Sequence, residues 1–323
     1  MPDGFGRTAD PDHESLQSTN NVTSIFLLGF PDLQNHKLFF FSLLFLLYCG
    51  TISGNLLIMV LYLVSKTLQS PMYFFITQLS LCDLLLTTDI VPVLLHTVLY
   101  GASSITLNGC ITQFFFFSNS EFSECVLLSG MSYDRYVAIC NPLRYHSIMS
   151  HTSCVISAGV IWMMSFIATL SYVISICNLR FCGPNVIDHF YCDFEPLVQL
   201  SCSDTSMIHR WILVMGYFII MGPFIVIVTS YVYIVIAILK IPSTTGRHKA
   251  TCSFHLIVVS LFYATLIIVY IFPTKDDSMA VSKVLSLIYT VMTPLLNPII
   301  YTLRNRDFKE AFLKINLAFC SDH

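Results

Sequence analysis

The chain has 323 residues, of which 55% are hydrophobic and only 11% are charged, and its formal net charge is −3. This composition excludes an ordinary soluble globular protein, in which about a quarter of the residues are charged. No basic stretch interleaved with aromatic residues suggests a nucleic-acid partner. We therefore expect one integral membrane domain.

Seven apolar stretches are long enough to cross a hydrocarbon core of about 30 Å, which takes about 20 helical residues. They cover residues 38–64, 71–99, 110–140, 154–176, 209–239, 251–272 and 282–303. Each run is continuous, whereas the strands of a membrane barrel alternate apolar and polar residues. The sequence predicts an all-α integral membrane fold, a seven-transmembrane helix bundle over residues 38–303.

The orientation follows from the basic residues of the short connections, which concentrate on the cytoplasmic side of membrane proteins. One side carries Lys66, Arg135, Arg144, Lys240, Arg247, Lys249, Arg304, Arg306, Lys309 and Lys314. This side is predicted to be cytoplasmic, so residues 1–37 form an extracellular N-terminal tail and residues 304–323 lie inside. Asn21 heads the one Asn-x-Ser/Thr sequon, which falls on the predicted outer tail and indicates glycosylation.

Four of the twelve cysteines fall on the predicted outer side, which is oxidising. They are Cys110 and the evenly spaced Cys182, Cys192 and Cys202 of a long loop between the fourth and fifth helices. Four cysteines allow three pairings, and their positions alone do not choose among them.

Two carboxylates lie at similar depth near the centre of the predicted bundle. Asp83 is about 18 Å along the second helix, and Glu124 is about 16 Å before Arg135 on the third, at 1.5 Å per residue. Buried charges at this depth are rare and are usually paired or hydrated. Either they share a hydrated ion site, or one carboxyl is protonated and hydrogen-bonded.

The third helix ends in MSYDRYVAIC, residues 131–140. Asp134 can hold Arg135 by a charge-assisted hydrogen bond, and this pair would act as a latch if a partner binds only after its release. The motif closely resembles the third-helix signature of olfactory receptors, a family of rhodopsin-like G-protein-coupled receptors. That family usually has alanine where Ser132 stands.

The resemblance implies several contacts. The loop of residues 181–202 is similar to the second extracellular loop of olfactory receptors, which implies the disulfides Cys110–Cys192 and Cys182–Cys202. PLLNPIIY, residues 294–301, implies that Asn297 faces Asp83, so that Asp83, Glu124 and Asn297 would hold an allosteric sodium ion. Oxygen ligands suit such a hard cation. No other cofactor is expected.

The resemblance also places a ligand chamber in the outer half of the bundle, mostly apolar with scattered hydroxyls. Its predicted lining is Phe114, Phe117, Ser118, Glu121, Phe122, Met215, Ile219, Tyr263, Ile267, Tyr270, Leu287 and Thr290. Such a cavity suits small hydrophobic molecules. Glu121 has two interpretations: a neutral carboxyl hydrogen-bonded within the bundle, or a group that selects ligands bearing an amine or strong donor.

On the cytoplasmic face the resemblance implies a G-protein coupling set. It consists of Asp134, Arg135, Tyr136, Tyr231, Asn297, Pro298 and Tyr301. Phe308, Phe312 and Ile315 recur at helical spacing after the seventh helix, which predicts a short amphipathic helix 8 on the inner leaflet. GRHKATCSFHL, residues 246–256, is two residues shorter than the family's usual start of the sixth helix, which puts efficient coupling in question.

These features predict an odorant receptor that activates a stimulatory heterotrimeric G protein and raises cyclic AMP. It would reside in the plasma membrane, in sensory-neuron cilia, with trafficking helper proteins as further partners. The alternative is a non-sensory rhodopsin-like receptor for a small metabolite or lipid. A transporter would show internal repeats, and an enzyme would need a catalytic constellation; the sequence shows neither.

Overall fold

The structure is a computed structural model. It describes residues 23–30, 35–182, 184–240, 256, 259–260, 262–268, 278–303 and 308–314. Several predictions fall outside these ranges: the glycosylation of Asn21, the chamber role of Tyr270, the membrane contact of Ile315 and the short start of the sixth helix.

The architecture is the predicted bundle of seven membrane helices. The first five are α1 (Lys37–Val64), α2 (Pro71–Tyr100), α3 (Leu107–Cys140), α4 (His151–Cys177) and α5 (Ser206–Lys240). Helix α6 is described at residues 262–268, α7 runs over residues 278–303, and α8 covers residues 308–314. Within the described residues, five of these helices are apolar and long enough to cross a membrane: α1, α2, α4, α5 and α7.

Helix α3 is the most polar of the long helices because it lies inside the bundle. It packs against α2, α4 and α5, so its serines, Asn119 and its acidic residues face protein and not lipid. Its start is fixed locally, since the Thr106 side chain caps the helix by accepting a hydrogen bond from the Gly109 amide at 3.0 Å. Helix α3 therefore connects both ends of the bundle through a continuous polar and aromatic face.

Helix α7 consists of three parts: Ser278–Leu287, a π-helical turn Ile288–Met292, and Thr293–Leu303. The last part contains Pro298, which packs closely on α1. A Cβ added to Gly54 would lie 3.0 Å from both Cβ and Cγ of Pro298. Glycine at this position therefore allows the two helices to approach each other.

A small three-stranded sheet, which the all-α prediction did not include, lies at one end of the bundle. Strand β1 (Ser24–Leu27) pairs antiparallel with β2 (Ser103–Thr106) and parallel with β3 (Val186–Ile187), in the order β2-β1-β3. The strands have only four, four and two residues, too short to give a clear alternating pattern. Ser24–Leu27 of the predicted N-terminal tail is thus part of the folded domain.

Candidate functional site

Two disulfides lie at the end of the bundle that carries the sheet, which we call the capped end. Cys110, at the start of α3, is bonded to Cys192 with Cα atoms 5.5 Å apart. Cys182 is bonded to Cys202 with Cα atoms 5.8 Å apart. The structure thus contains the two pairings that the resemblance implied, and Cys177 is free. The first bond holds the loop preceding Cys192 over the end of α3.

Below the cap, α3, α4 and α5 share an apolar wall. Phe114 of α3 and Tyr172 of α4 are buried in one hydrophobic cluster, and Phe122, Met215 and Ile219 pack against it. The rings of Phe122 and Tyr172 have centroids 5.5 Å apart and meet edge to face. Four of the predicted chamber residues therefore come together in one wall.

The loop before Cys192 packs over the predicted chamber residues of α3 and α7. Tyr191 is fully buried, with its ring centroid 4.9 Å from that of Phe117 on α3. Its hydroxyl is hydrogen-bonded to that of Tyr289 on α7 and donates to Oδ2 of Asp193 at 3.2 Å. Leu287 packs against the same cluster. Phe117 and Leu287 therefore lie on the α7 side of the chamber, under the loop.

The remaining predicted lining residues of the described ranges are buried or half-buried. Tyr263 donates its hydroxyl proton to the Cys125 carbonyl at 2.9 Å and belongs to a deeper core, against which Ile267 packs. Thr290 donates to the carbonyl one turn earlier in α7 at 2.7 Å. Ser118 is buried on the chamber face of α3. The hydroxyl protons of Tyr263 and Thr290 are therefore already donated to the backbone.

The polar centre lies deeper in the bundle, between α2, α3 and α7. Asn297 donates through Nδ2 to both carboxylate oxygens of Asp83, each at 3.1 Å. Oε1 of buried Glu124 and Oδ1 of Asn297 have no hydrogen-bond partner among the described residues. Buried acceptors without a partner are costly, and oxygens of this kind fit a hard cation. Among the described residues, no three His, Cys, Asp or Glu side chains form a metal site.

At the opposite end, the Asp134 carboxylate binds two partners. Arg135 donates to Oδ2 from Nη2 at 2.5 Å and from Nε at 3.0 Å. Tyr145, in the connection between α3 and α4, donates from its hydroxyl to Oδ1 at 2.9 Å. Burial and the neighbouring Asp134 charge raise the pKa of Tyr145, so its hydroxyl remains protonated. The predicted latch is present in its closed form.

Among the other predicted coupling residues, Asn297 lies in the polar centre and Pro298 packs on α1. Tyr231 of α5 and Tyr301 of α7 are buried in the same hydrophobic cluster. Tyr136 is half-buried, and its ring centroid lies 5.8 Å from that of Tyr233 on α5. Helix α8 extends from this region, with Phe308 packed edge to face on a ring of α2 at 5.1 Å.

A buried lysine connects three segments of the capped end. Nζ of Lys283 on α7 lies 2.6 Å from Oδ1 of Asp188 and 2.8 Å from the carbonyl oxygen of Gly29. Burial and the Lys283 charge lower the pKa of neighbouring His189 to about 3, against the opposing effect of Asp188. His189 is therefore neutral at neutral pH, and its Nδ1 has no hydrogen-bond partner among the described residues.

Several side chains near the predicted chamber residues were not predicted from the sequence. Tyr191 could have been found, because it directly precedes a disulfide cysteine. Lys283 also had a signal, as a single charge in the seventh apolar stretch. Tyr172 and Tyr289 had no signal in the sequence, since one tyrosine in an apolar helix does not indicate which residue it will contact.

The seven-helix membrane bundle, the buried Asp83–Asn297 contact and the Asp134–Arg135 pair at a helix end are features of the class of G-protein-coupled receptors. The olfactory receptor family model matches residues 41–318, and the chain belongs to that family. It is 45% identical to olfactory receptor 10C1 of Homo sapiens over 296 residues, 91% of this chain and 95% of that protein. It is 42% identical to olfactory receptor 1468 of Rattus norvegicus, over 93% and 97% of the two chains. Olfactory receptors are receptors and not enzymes.

Proposed function

We propose that this receptor binds small, mostly hydrophobic odorants below the capped end and activates a stimulatory heterotrimeric G protein, raising cyclic AMP. The observation that carries the proposal is the closed Asp134–Arg135 pair, which sits on α3. The same helix carries Phe114 and Phe117, two of the proposed chamber residues, in buried hydrophobic clusters. A ligand that favours one arrangement of α3 over another changes how often Arg135 is free for a partner.

The capped end is proposed to face the outside of the plasma membrane, at the cilia of a sensory neuron. Two lines of reasoning support this orientation. Disulfides persist in oxidising compartments, and both lie at the capped end. The basic residues of the connections concentrate at the opposite end. Phe312 of α8 is 44% exposed beside buried Phe308, as expected for a helix lying on the inner leaflet.

The polar centre is proposed to hold a sodium ion through Asp83, Glu124 and Asn297. A bound cation would supply positive charge between two carboxylates that otherwise repel each other. The chain's own contribution is the orientation of Asp83 by Asn297. Ligand affinity of the purified receptor should depend on sodium chloride relative to potassium chloride, and Asp83→Asn should remove that difference. An equal response of both proteins to the two salts contradicts the sodium site.

The signalling proposal is tested in cells that co-express trafficking helper proteins, with cyclic AMP as the readout and a panel of alcohols, esters and amines as ligands. Arg135→Ala should abolish the response at unchanged surface expression. Arg144→Ala is the matched control, because Arg144 is exposed nearby and outside the latch. A normal cyclic AMP response from well-expressed Arg135→Ala receptor refutes the latch as the coupling element. A ligand-driven fall in cyclic AMP refutes the stimulatory partner.

A further inference from the structure

Glu121 is a buried acidic residue, and one of its carboxyl oxygens has no hydrogen-bond partner among the described residues. Its side chain is 6% exposed, and the oxygen concerned is Oε1. Whether the carboxyl is charged or neutral, this oxygen can accept a hydrogen bond from a donor that reaches it. An unpaired polar group inside a protein costs about 1–3 kcal/mol, and more when it is charged. The site therefore favours a group that the chain does not supply.

A second buried polar group without a hydrogen-bond partner among the described residues lies on the neighbouring helix α4. The Tyr172 hydroxyl on α4 is within the electrostatic reach of Glu121, and the side chain is only 3% exposed. Its oxygen has no hydrogen-bond partner among the described residues, so the two groups are close but do not bond to each other. Contact of the Tyr172 ring with Phe122 holds the hydroxyl on the α3 side. A donor placed between the two groups would satisfy both.

A second acidic side chain lies near this position. It is Asp193 of the loop above, which is within electrostatic reach of Glu121. Lys283, the buried lysine of the capped end, is already bonded to Asp188 and Gly29. Two carboxylates and a phenolic oxygen can all accept hydrogen bonds, and an ammonium group is donor-only with a positive charge. The surrounding wall of Phe114, Met215 and Ile219 is apolar.

We propose that Glu121 and Tyr172 form a polar subsite that binds the ammonium group of small apolar amines, whose hydrocarbon part packs on the α3–α5 wall. This inference rests on the proposed function, because it assigns a ligand class to the same chamber. Glu121 would accept the charged hydrogen bond, Tyr172 would accept a second one, and Asp193 would add to the negative potential without direct contact.

The test uses matched ligands of equal chain length: a primary alkylamine, the corresponding alcohol and the corresponding methyl ester. Their effect is measured on the melting temperature of purified receptor, because a ligand that binds the folded state stabilises it. This readout is independent of any G protein. Cyclic AMP responses in cells give the second readout. Wild-type receptor should respond to the amine at lower concentrations than to either analogue.

Glu121→Gln should raise the amine concentration needed by about 10- to 100-fold, as expected for loss of a charged hydrogen bond, and affect the alcohol less than about 5-fold. Tyr172→Phe should also weaken the amine more than the alcohol, by a smaller factor than Glu121→Gln. It provides the test if Glu121→Gln does not fold. Asp89→Asn is the matched control, since Asp89 is another acid with an unpartnered oxygen among the described residues, on α2 and outside this subsite.

Equal losses for all three ligands, or no loss for the amine, overturn the subsite. An amine-selective melting shift without a cyclic AMP response supports the subsite and refutes the stimulatory partner. Cyclic AMP responses to all three ligands, with an amine response that both variants leave unchanged, support the receptor function and refute the amine subsite.

Discussion

Lys283 and Asp188 form an ion pair whose two sides differ in their access to water. The Lys283 side chain is 7% exposed and that of Asp188 is 46% exposed. Their pairing joins α7 to the long loop, and the Gly29 carbonyl adds the N-terminal segment. The cap is therefore tied to the helix that also carries the polar centre.

This asymmetry predicts unequal effects of removing each partner. Asp188→Ala leaves a buried ammonium group without its counter-ion and should destabilise the receptor by about 3–5 kcal/mol. Lys283→Met leaves a carboxylate that water can reach, so its effect should be smaller, about 1–2 kcal/mol. Thermal unfolding of the two purified single variants and of the double mutant measures both losses of stability and the coupling between them. Equal losses for the two single variants would contradict this account.

The neutral state of His189 predicts a loss of stability in acid. An unfolded histidine has a pKa of about 6.5, whereas burial and Lys283 lower the pKa of folded His189 to about 3. The unfolded chain therefore binds the extra proton between these values. The contribution of His189 is fully present above about pH 6.5 and declines as the pH falls toward 3.

The measurement compares melting temperatures at pH 7.5 and pH 5.0. His189→Gln should lose less stability than wild type over this interval, by about 2 kcal/mol. His96→Gln is the control, because His96 is exposed on α2, and it should behave like wild type. Identical pH dependence of His189→Gln and wild type would show that this side chain does not titrate as described.

The disulfide between α3 and the loop predicts a non-additive pair of mutants. Cys110→Ser and Cys192→Ser should each destabilise the receptor by about 2–5 kcal/mol. The double mutant should be no worse than either, because all three lack the same bond. Cys177→Ser removes a free, exposed thiol and should leave stability unchanged. Non-reducing peptide maps that join Cys110 to Cys182 or Cys202 would refute the pairing.

The latch predicts that releasing Arg135 raises signalling without ligand. Asp134→Asn removes the charge that holds the guanidinium and should raise basal cyclic AMP about ten-fold at equal surface expression. Tyr145→Phe removes one hydrogen bond to Oδ1 and should have a weaker effect in the same direction. A receptor that carries both Asp134→Asn and Arg135→Ala should produce no cyclic AMP response. Unchanged basal signalling in Asp134→Asn argues against a latch.

The helices of the described ranges were predictable from the sequence, because in a membrane each apolar segment forms its helix independently of its neighbours. A segment in hydrocarbon must satisfy its backbone hydrogen bonds internally, so a long apolar run becomes a helix whatever its neighbours are. The Asp134–Arg135 pair was equally accessible, since adjacent residues at a helix end are already within reach of each other. The pairing of Asp83 with Asn297 needed the family resemblance, because the two residues lie on different helices.

The sequence by itself determined that this is a seven-helix membrane receptor of the olfactory family, which regions cross the membrane, and which polar residues lie within them. Only the tertiary structure decided that β1 joins the cap, that Lys283 meets Asp188, and that Tyr172 packs on Phe122. These contacts depend on the rotation and depth of separate segments relative to one another. Helix packing sets both quantities, and apolar composition restricts neither.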